Sequence, residues 1–136
     1  MMTRVWEGLY LGSLKDAEHL ATANTTAITV VLSLCPEEIM RRSRTIDYKR
    51  IPIADAQPIS TCQFEEIMAA IERGLQRGNL LIHCVAGFSR SPILAAAWMH
   101  RCGYLNFDAA LQEIAAVRAI DPSPVLLKSI KEHLTR

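Results

Sequence analysis

The stretch NLLIHCVAGFSRSPILAAAWMHRCG, residues 79–103, decides how the rest of the chain is read. Gly78-Asn79 is a turn signal, and LLIHC, residues 80–84, is an apolar run of strand length. Pro92 opens ILAAAWMHRC, which ends at Gly103; proline early and glycine late is the asymmetry of a helix. Between the two lies VAGFS, a loop at a strand C-terminus and a helix N-terminus. In an open α/β sheet that is the usual place for an anionic ligand. Successive backbone N–H groups can converge there and the helix dipole adds positive potential. Gly87 permits the dihedral angles such a turn requires.

Working outward, strands and helices alternate. ITVVLSL, residues 28–34, is a β-branched run that predicts a buried strand, and YKRIPI, residues 48–53, a shorter one. VWEGLYLGS, residues 5–13, reads as a β hairpin broken at Gly8. Ser13 with Asp16 predicts a capped short helix to about Ala21, and Ser60 with Gln63 a longer one to about Gln76. In the second, Phe64, Ile67, Met68, Ile71 and Leu75 recur at helical spacing, and Gly78 stands where a left-handed C-cap belongs. Asn106 can cap a helix to about Ala119, and Ser123-Pro124 one to about Leu134. The expectation is a single α/β domain over residues 1–136, with a central, mainly parallel sheet and helices on both faces.

Composition narrows the class. The 136 residues are half hydrophobic and 21% charged, as in ordinary globular domains, and the net charge is +1. Nothing global argues for nucleic acid or a membrane as partner. The apolar runs fall well short of the ~20 residues that span a bilayer. No secretory h-region opens the sequence, and Cys35, Cys62, Cys84 and Cys102 lack C-x-x-C spacing, so a reducing, cytoplasmic setting and a monomer are expected. No metal site is expected of His19, His100 or His133.

The loop chemistry is specific. Cysteine attacks only as thiolate, and inward amides, a helix N-terminus and Arg90 all favour the anion. The same donors suit a phosphate, and the Arg90 guanidinium fork matches two phosphoryl oxygens. Cys84 is thus placed for phosphoryl rather than acyl transfer. A leaving oxygen needs a proton from another loop at the same sheet edge. Asp55, after YKRIPI, is the better candidate, and Asp121 in AIDPSP is its competitor.

HCVAGFSRS matches H-C-x-x-G-x-x-R-[ST], and so resembles the signature of the cysteine-dependent protein tyrosine phosphatase superfamily. GLYLGSLKDAEHL, VLSLCPEE and YKRIPIAD are similar to segments of its dual-specificity branch, in order and approximate spacing from about Glu7 to Leu134. The resemblance implies hydrolysis of phosphotyrosine and phosphoserine or phosphothreonine on protein substrates, without metal or organic cofactor. Cys84 would form a phosphocysteine and Arg90 would bind the phosphate. The amides of Val85, Ala86, Gly87, Phe88, Ser89 and Arg90 would line the pocket. Ser91 would hydrogen-bond the sulfur, His83 would orient the loop, and Asp55 would protonate the leaving group and then activate water. Where the family often carries Pro-Asn, this chain has Pro122-Ser123.

LSLC, ending at Cys35, resembles segments of family members in which a strand-end cysteine pairs with the nucleophile; a resolving thiol and a buried core cysteine are both open readings. Arg41, Arg42 and Arg44, with Lys49 and Arg50, form a basic cluster that could attract acidic residues or simply be a solvated face. Other readings of the same scaffold are a phosphatase of RNA 5′ ends or phosphoinositides, a phosphate-binding module without turnover, and a sulfur transferase. Val85, Ala86 and Phe88 leave Arg90 as the loop's basic side chain, which argues against highly charged inositol phosphates.

Overall fold

The computed structural model describes residues 1–135. Among them lies one five-stranded sheet, in the order β1-β2-β5-β3-β4. β1 (Thr3–Trp6) and β2 (Leu9–Gly12) form the hairpin around Gly8, starting slightly earlier than expected. β2, β3 (Ile28–Ser33), β4 (Asp47–Arg50) and β5 (Asn79–His83) are mutually parallel, with β5 between β2 and β3. In register, His83 stands beside both Gly12 and Ser33. The C-terminal ends of four strands therefore open on one edge of the sheet, with β5 central.

Side chains on alternate residues divide between two cores, as the two-residue period of a strand requires. Leu80 and Ile82 of β5, with Leu9, Leu11 and Leu32, join the larger core under α2 (Thr61–Arg77), α3 (Arg90–Arg101), α4 (Phe107–Val117) and α5 (Pro124–Leu134). Leu81 and Val31 point the other way, against Ala17 and Leu20 of α1 (Leu14–His19) and its C-terminal end. Helices thus cover both faces of a mainly parallel sheet, unequally. None of the described helices is long and apolar enough to cross a membrane.

The expected caps form. Ser13 Oγ accepts from Asp16 N–H while Asp16 Oδ2 accepts from Ser13 N–H, a closed capping box. Ser60, Asn106 and Ser123 cap α2, α4 and α5 through Gln63, Ala109 and Leu126 N–H. In α2, Phe64, Ile67, Met68 and Ile71 are buried and Leu75 half-buried.

Three details differ from the sequence reading. β4 ends at Arg50 because Pro52 has no N–H; the extended chain is still held by Ile51 and Ile53 N–H on Ser33 O and Leu34 O. α4 ends at Val117 rather than Ala119, since Arg118 turns extended to reach elsewhere. Gly78 is no left-handed C-cap: its φ of 142° and ψ of −146° lead straight into β5. That geometry still demands glycine, and a Cβ there would lie 2.8 Å from Thr29 Oγ1. Gly78→Ala is expected to lose about 1–3 kcal/mol of stability, read as a lower denaturant midpoint with unchanged m-value.

Candidate active site

The chain between β5 and α3 is a cup whose carbonyls face outward. Cys84 O accepts from His83 Nδ1 at 3.2 Å, Val85 O from Leu14 N–H at 3.0 Å, Gly87 O from Arg118 Nε at 3.0 Å and Phe88 O from Asp121 N–H at 2.8 Å. Ser89 O takes the first bond of α3, from Ile93 N–H. With these carbonyls taken from outside, the amides between them are left for the inside, which is how a backbone nest for an anion is built. Gly87 makes the turn at φ +79°, where a Cβ would lie 2.6 Å from Gly12 O and 2.4 Å from Arg118 Nη2.

Cys84 lies at the base, 2% exposed, with its Sγ 3.4 Å from Ser91 Oγ. Arg90 returns at the first position of α3. Its Nη1 donates to Ile53 O at 3.1 Å, which fixes the side chain on the chain leaving β4. Among the described residues its buried Nε has no hydrogen-bond partner, an orphan donor that an anion in the cup would satisfy. Arg90 lines a cavity of about 360 Å³ with Pro36, Glu37, Pro52, Ile53, Ala54 and Asp55.

Asp55 is joined to this centre by one hydroxyl. Ser89 Oγ–H donates to Asp55 Oδ1 at 3.0 Å and accepts from Ser123 N–H at 3.1 Å. Ser89 is the N-cap residue of α3 but makes no capping bond. Diverting that hydroxyl leaves the first amides of the helix uncapped on the side of the cup. Asp121 meets the cup through its N–H on Phe88 O, and among the described residues no side-chain hydrogen bond is made by its carboxylate. Ser123, where the family often has asparagine, reaches Ser89 through its backbone, while its own Oγ caps α5.

His83 is fully buried beneath the loop. Burial pushes its pKa below the ordinary 6.5, and the Arg90 charge pushes the same way; the Cys84 carbonyl and Asp16 only partly oppose this. The neutral ring must donate from Nδ1 to Cys84 O, so its Nε2 accepts the Ser33 hydroxyl at 2.6 Å. Orienting the loop is therefore what its contacts support.

Cys35 is fully buried, one residue beyond Leu34, whose N–H donates to His83 O at 3.0 Å. Burial pushes its thiol pKa up, Glu37 and Cys84 add to this, and Arg90 pulls the other way. Both Cys35 and Cys84 are free thiols. Among the described residues no group of three His, Cys, Asp or Glu side chains could hold a metal ion.

Arg118 is the site residue that the sequence did not mark. Besides Gly87 O, it donates from Nη1 to Thr3 Oγ1 at 3.0 Å and Leu11 O at 3.4 Å, binding the cup to the hairpin. The one local signal is an arginine at a helix end just before the proline-containing AIDPSP.

A thiol and a guanidinium thus share one amide cup on the edge of an α/β sheet, with a carboxylate held at its rim, an arrangement suited to a phosphoryl group. The family described as "Dual specificity phosphatase, catalytic domain" matches residues 9–136, and the chain belongs to that family. It is 33% identical over 137 residues to human dual specificity protein phosphatase 15, covering 97% of this chain and 45% of that protein. To zebrafish (Danio rerio) dual specificity protein phosphatase 22-A it is 32% identical over 120 residues, covering 87% and 57%. The chain thus spans about half the length of these curated relatives. The crystal structure of DUSP15 superposes with a TM-score of 0.82 at 32% identity, covering 98% of this chain and 84% of that one. Human DUSP28 shares the fold, with a TM-score of 0.86 at 21% identity over 98% and 93% of the two chains.

The His83 geometry has a pH consequence. An unfolded histidine binds a proton near the ordinary 6.5, whereas the folded one resists it, so this residue lowers stability as pH falls below that value. Calorimetric melting should show a shallower decline from about pH 7 to about pH 5 in His83→Gln than in wild type.

Proposed function

We propose that this chain hydrolyses phosphate monoesters of phosphotyrosine and of phosphoserine or phosphothreonine on proteins, through a phosphocysteine. The observation that carries the reading is the pairing of Cys84 with Arg90 on one cup, where the buried Arg90 Nε lacks a partner.

The phosphoryl group occupies the cup, its oxygens taking the loop amides and the Arg90 guanidinium. The Cys84 thiolate attacks phosphorus; as the S–P bond forms, the P–O ester bond breaks and the leaving oxygen takes a proton from Asp55. Water then attacks the phosphocysteine, giving its proton to Asp55, and the S–P bond breaks to release phosphate. Ser91 Oγ, 3.4 Å from Sγ, donates to the departing thiolate. Asp55 is favoured over Asp121 because Ser89 ties its carboxylate to the loop. The uncharged side chains of Val85, Ala86 and Phe88, and the 48% exposure of Phe88, suit a protein substrate on an open rim.

Cys35 enters the same proposal as a resolving thiol. Peroxide would oxidise Cys84 to the sulfenic acid, and the Cys35 thiol would displace water to leave a disulfide. Its support is the strand-end placement beside His83 O and the free state of both thiols. Peroxide treatment followed by non-reducing peptide mass spectrometry should yield a Cys35–Cys84 crosslink; its absence while Cys84 oxidises sinks this role.

Cys84→Ser should abolish turnover of an aryl phosphate while retaining binding of a phosphate analogue; normal turnover refutes the nucleophile. Asp55→Asn should slow turnover by about 10²–10⁴-fold on poorly leaving alkyl phosphates and much less on activated aryl phosphates. If Asp121→Asn produces that leaving-group dependence instead, Asp55 is not the acid.

A further inference from the structure

The two carboxyl oxygens of Asp55 stand in different surroundings. Oδ1 accepts from Ser89 Oγ–H at 3.0 Å and from Ala56 N–H at 3.0 Å. Among the described residues Oδ2 has no hydrogen-bond partner, and Asp55 lines the cavity that Arg90 also lines. Two local features accompany the bonds to Oδ1. Ser89 stands at the N-cap of α3 yet makes no capping bond. Ala56 holds φ +57°, in the left-handed region that a residue with a Cβ seldom adopts.

The direction of the Ser89 proton follows from its other partner. Ser123 N–H donates to Ser89 Oγ at 3.1 Å, and an N–H can only donate. The hydroxyl keeps its single proton for a different acceptor, and among the described residues Asp55 Oδ1 is the one it meets. A carboxyl proton on Oδ1 would leave the serine proton without an acceptor. It would also make Oδ1 a poor acceptor for the Ala56 N–H. The acid form of Asp55 is compatible with both bonds only when its proton sits on Oδ2.

We infer that Ser89 is a positioning residue for proton transfer: with the Ala56 amide it saturates Asp55 Oδ1, so that Oδ2 gives the proton to the leaving oxygen and regains one from water. This rests on the phosphatase reading with Asp55 as the acid, and adds to it the atom that moves the proton and the side chain that selects it. In the first half, the Oδ2–H bond breaks as the ester P–O bond breaks, and the leaving oxygen takes that proton. In the second half, the oxygen of water joins phosphorus, one of its protons goes to Oδ2, and the S–P bond breaks. Both bonds at Oδ1 suit the acid and the carboxylate alike, so the group need not turn between the two halves.

The test assays Ser89→Ala, Ser89→Thr, Asp55→Asn and the Ser89→Ala/Asp55→Asn double variant on an alkyl phosphate and an activated aryl phosphate. Ser89→Ala should lower kcat on the alkyl phosphate by about tenfold, through misplacement of the acid, with a much smaller loss on the aryl phosphate and little change in KM. Ser89→Thr keeps the hydroxyl and should restore most of that loss. In the Asp55→Asn background Ser89→Ala should add little, because the proton it positions is already gone. Equal losses on both substrates, no rescue by threonine, or full additivity of the two substitutions overturns the proposal. A second readout needs no turnover. The carboxyl ¹³C resonance of Asp55, assigned by its absence in Asp55→Asn, should move in Ser89→Ala and return in Ser89→Thr; an unmoved resonance also overturns the proposal. Wild type that turns over neither ester refutes the phosphatase reading, and the resonance then still decides whether Ser89 holds the carboxyl group.

Discussion

Everything at the site depends on how closely the backbone passes at Gly87. The loop is wedged between the end of β2 and the guanidinium of Arg118, at a positive φ, with no space for a Cβ. That approach lets Arg118 take Gly87 O, and the same turn presents Val85 O to α1 and Phe88 O to the segment before α5. Two separate parts of the chain, the start of α1 and the segment between α4 and α5, thus hold the loop by its carbonyls. An isolated loop with so many like-oriented amides would be unstable. Here the outward bonds stabilise it, and the inward donors are kept for a ligand.

The serines divide the remaining work. Ser33 fixes the His83 tautomer, Ser91 faces the sulfur, and Ser89 joins Asp55 to the backbone of Ser123. A hydroxyl has one proton and two lone pairs, so each can join a donor to an acceptor without introducing charge. Ser89 matters most because its hydroxyl is absent from the helix cap. The loop that carries the carboxylate is short and exposed, and this bond ties the carboxylate itself to the cup, beside the bond from Arg90 Nη1 to Ile53 O. The Asp55 carboxylate and the cup are thereby held in one frame, although they follow different strands.

Charge near the cup is paired locally. A net charge of +1 conceals local pairing: Glu37 and Asp55 line the cavity with Arg90, and Arg50 reaches Pro36 O at its edge. Glu18 is consumed by backbone N–H groups, so its effect is to position Arg41 as well as to offset it.

The strand LLIHC, the helix behind Pro92, the caps at Ser13, Ser60, Asn106 and Ser123, and the cup with Cys84 and Arg90 were legible in the sequence, because each depends on residues near one another in the chain. Periodicity, capping and a nine-residue motif are local properties. The early end of α4, the geometry of Gly78 and the grip of Arg118 were not legible, because each is set by atoms distant in sequence: Gly87 and Leu11 for Arg118, Thr29 for Gly78. By itself the sequence determined which residue could attack and which could hold an anion. Only the tertiary structure decided which carboxylate is tied to that cup, through a Ser89 hydroxyl bond spanning 34 positions. Parallel strands bring such positions to one edge, and no local pattern records that meeting.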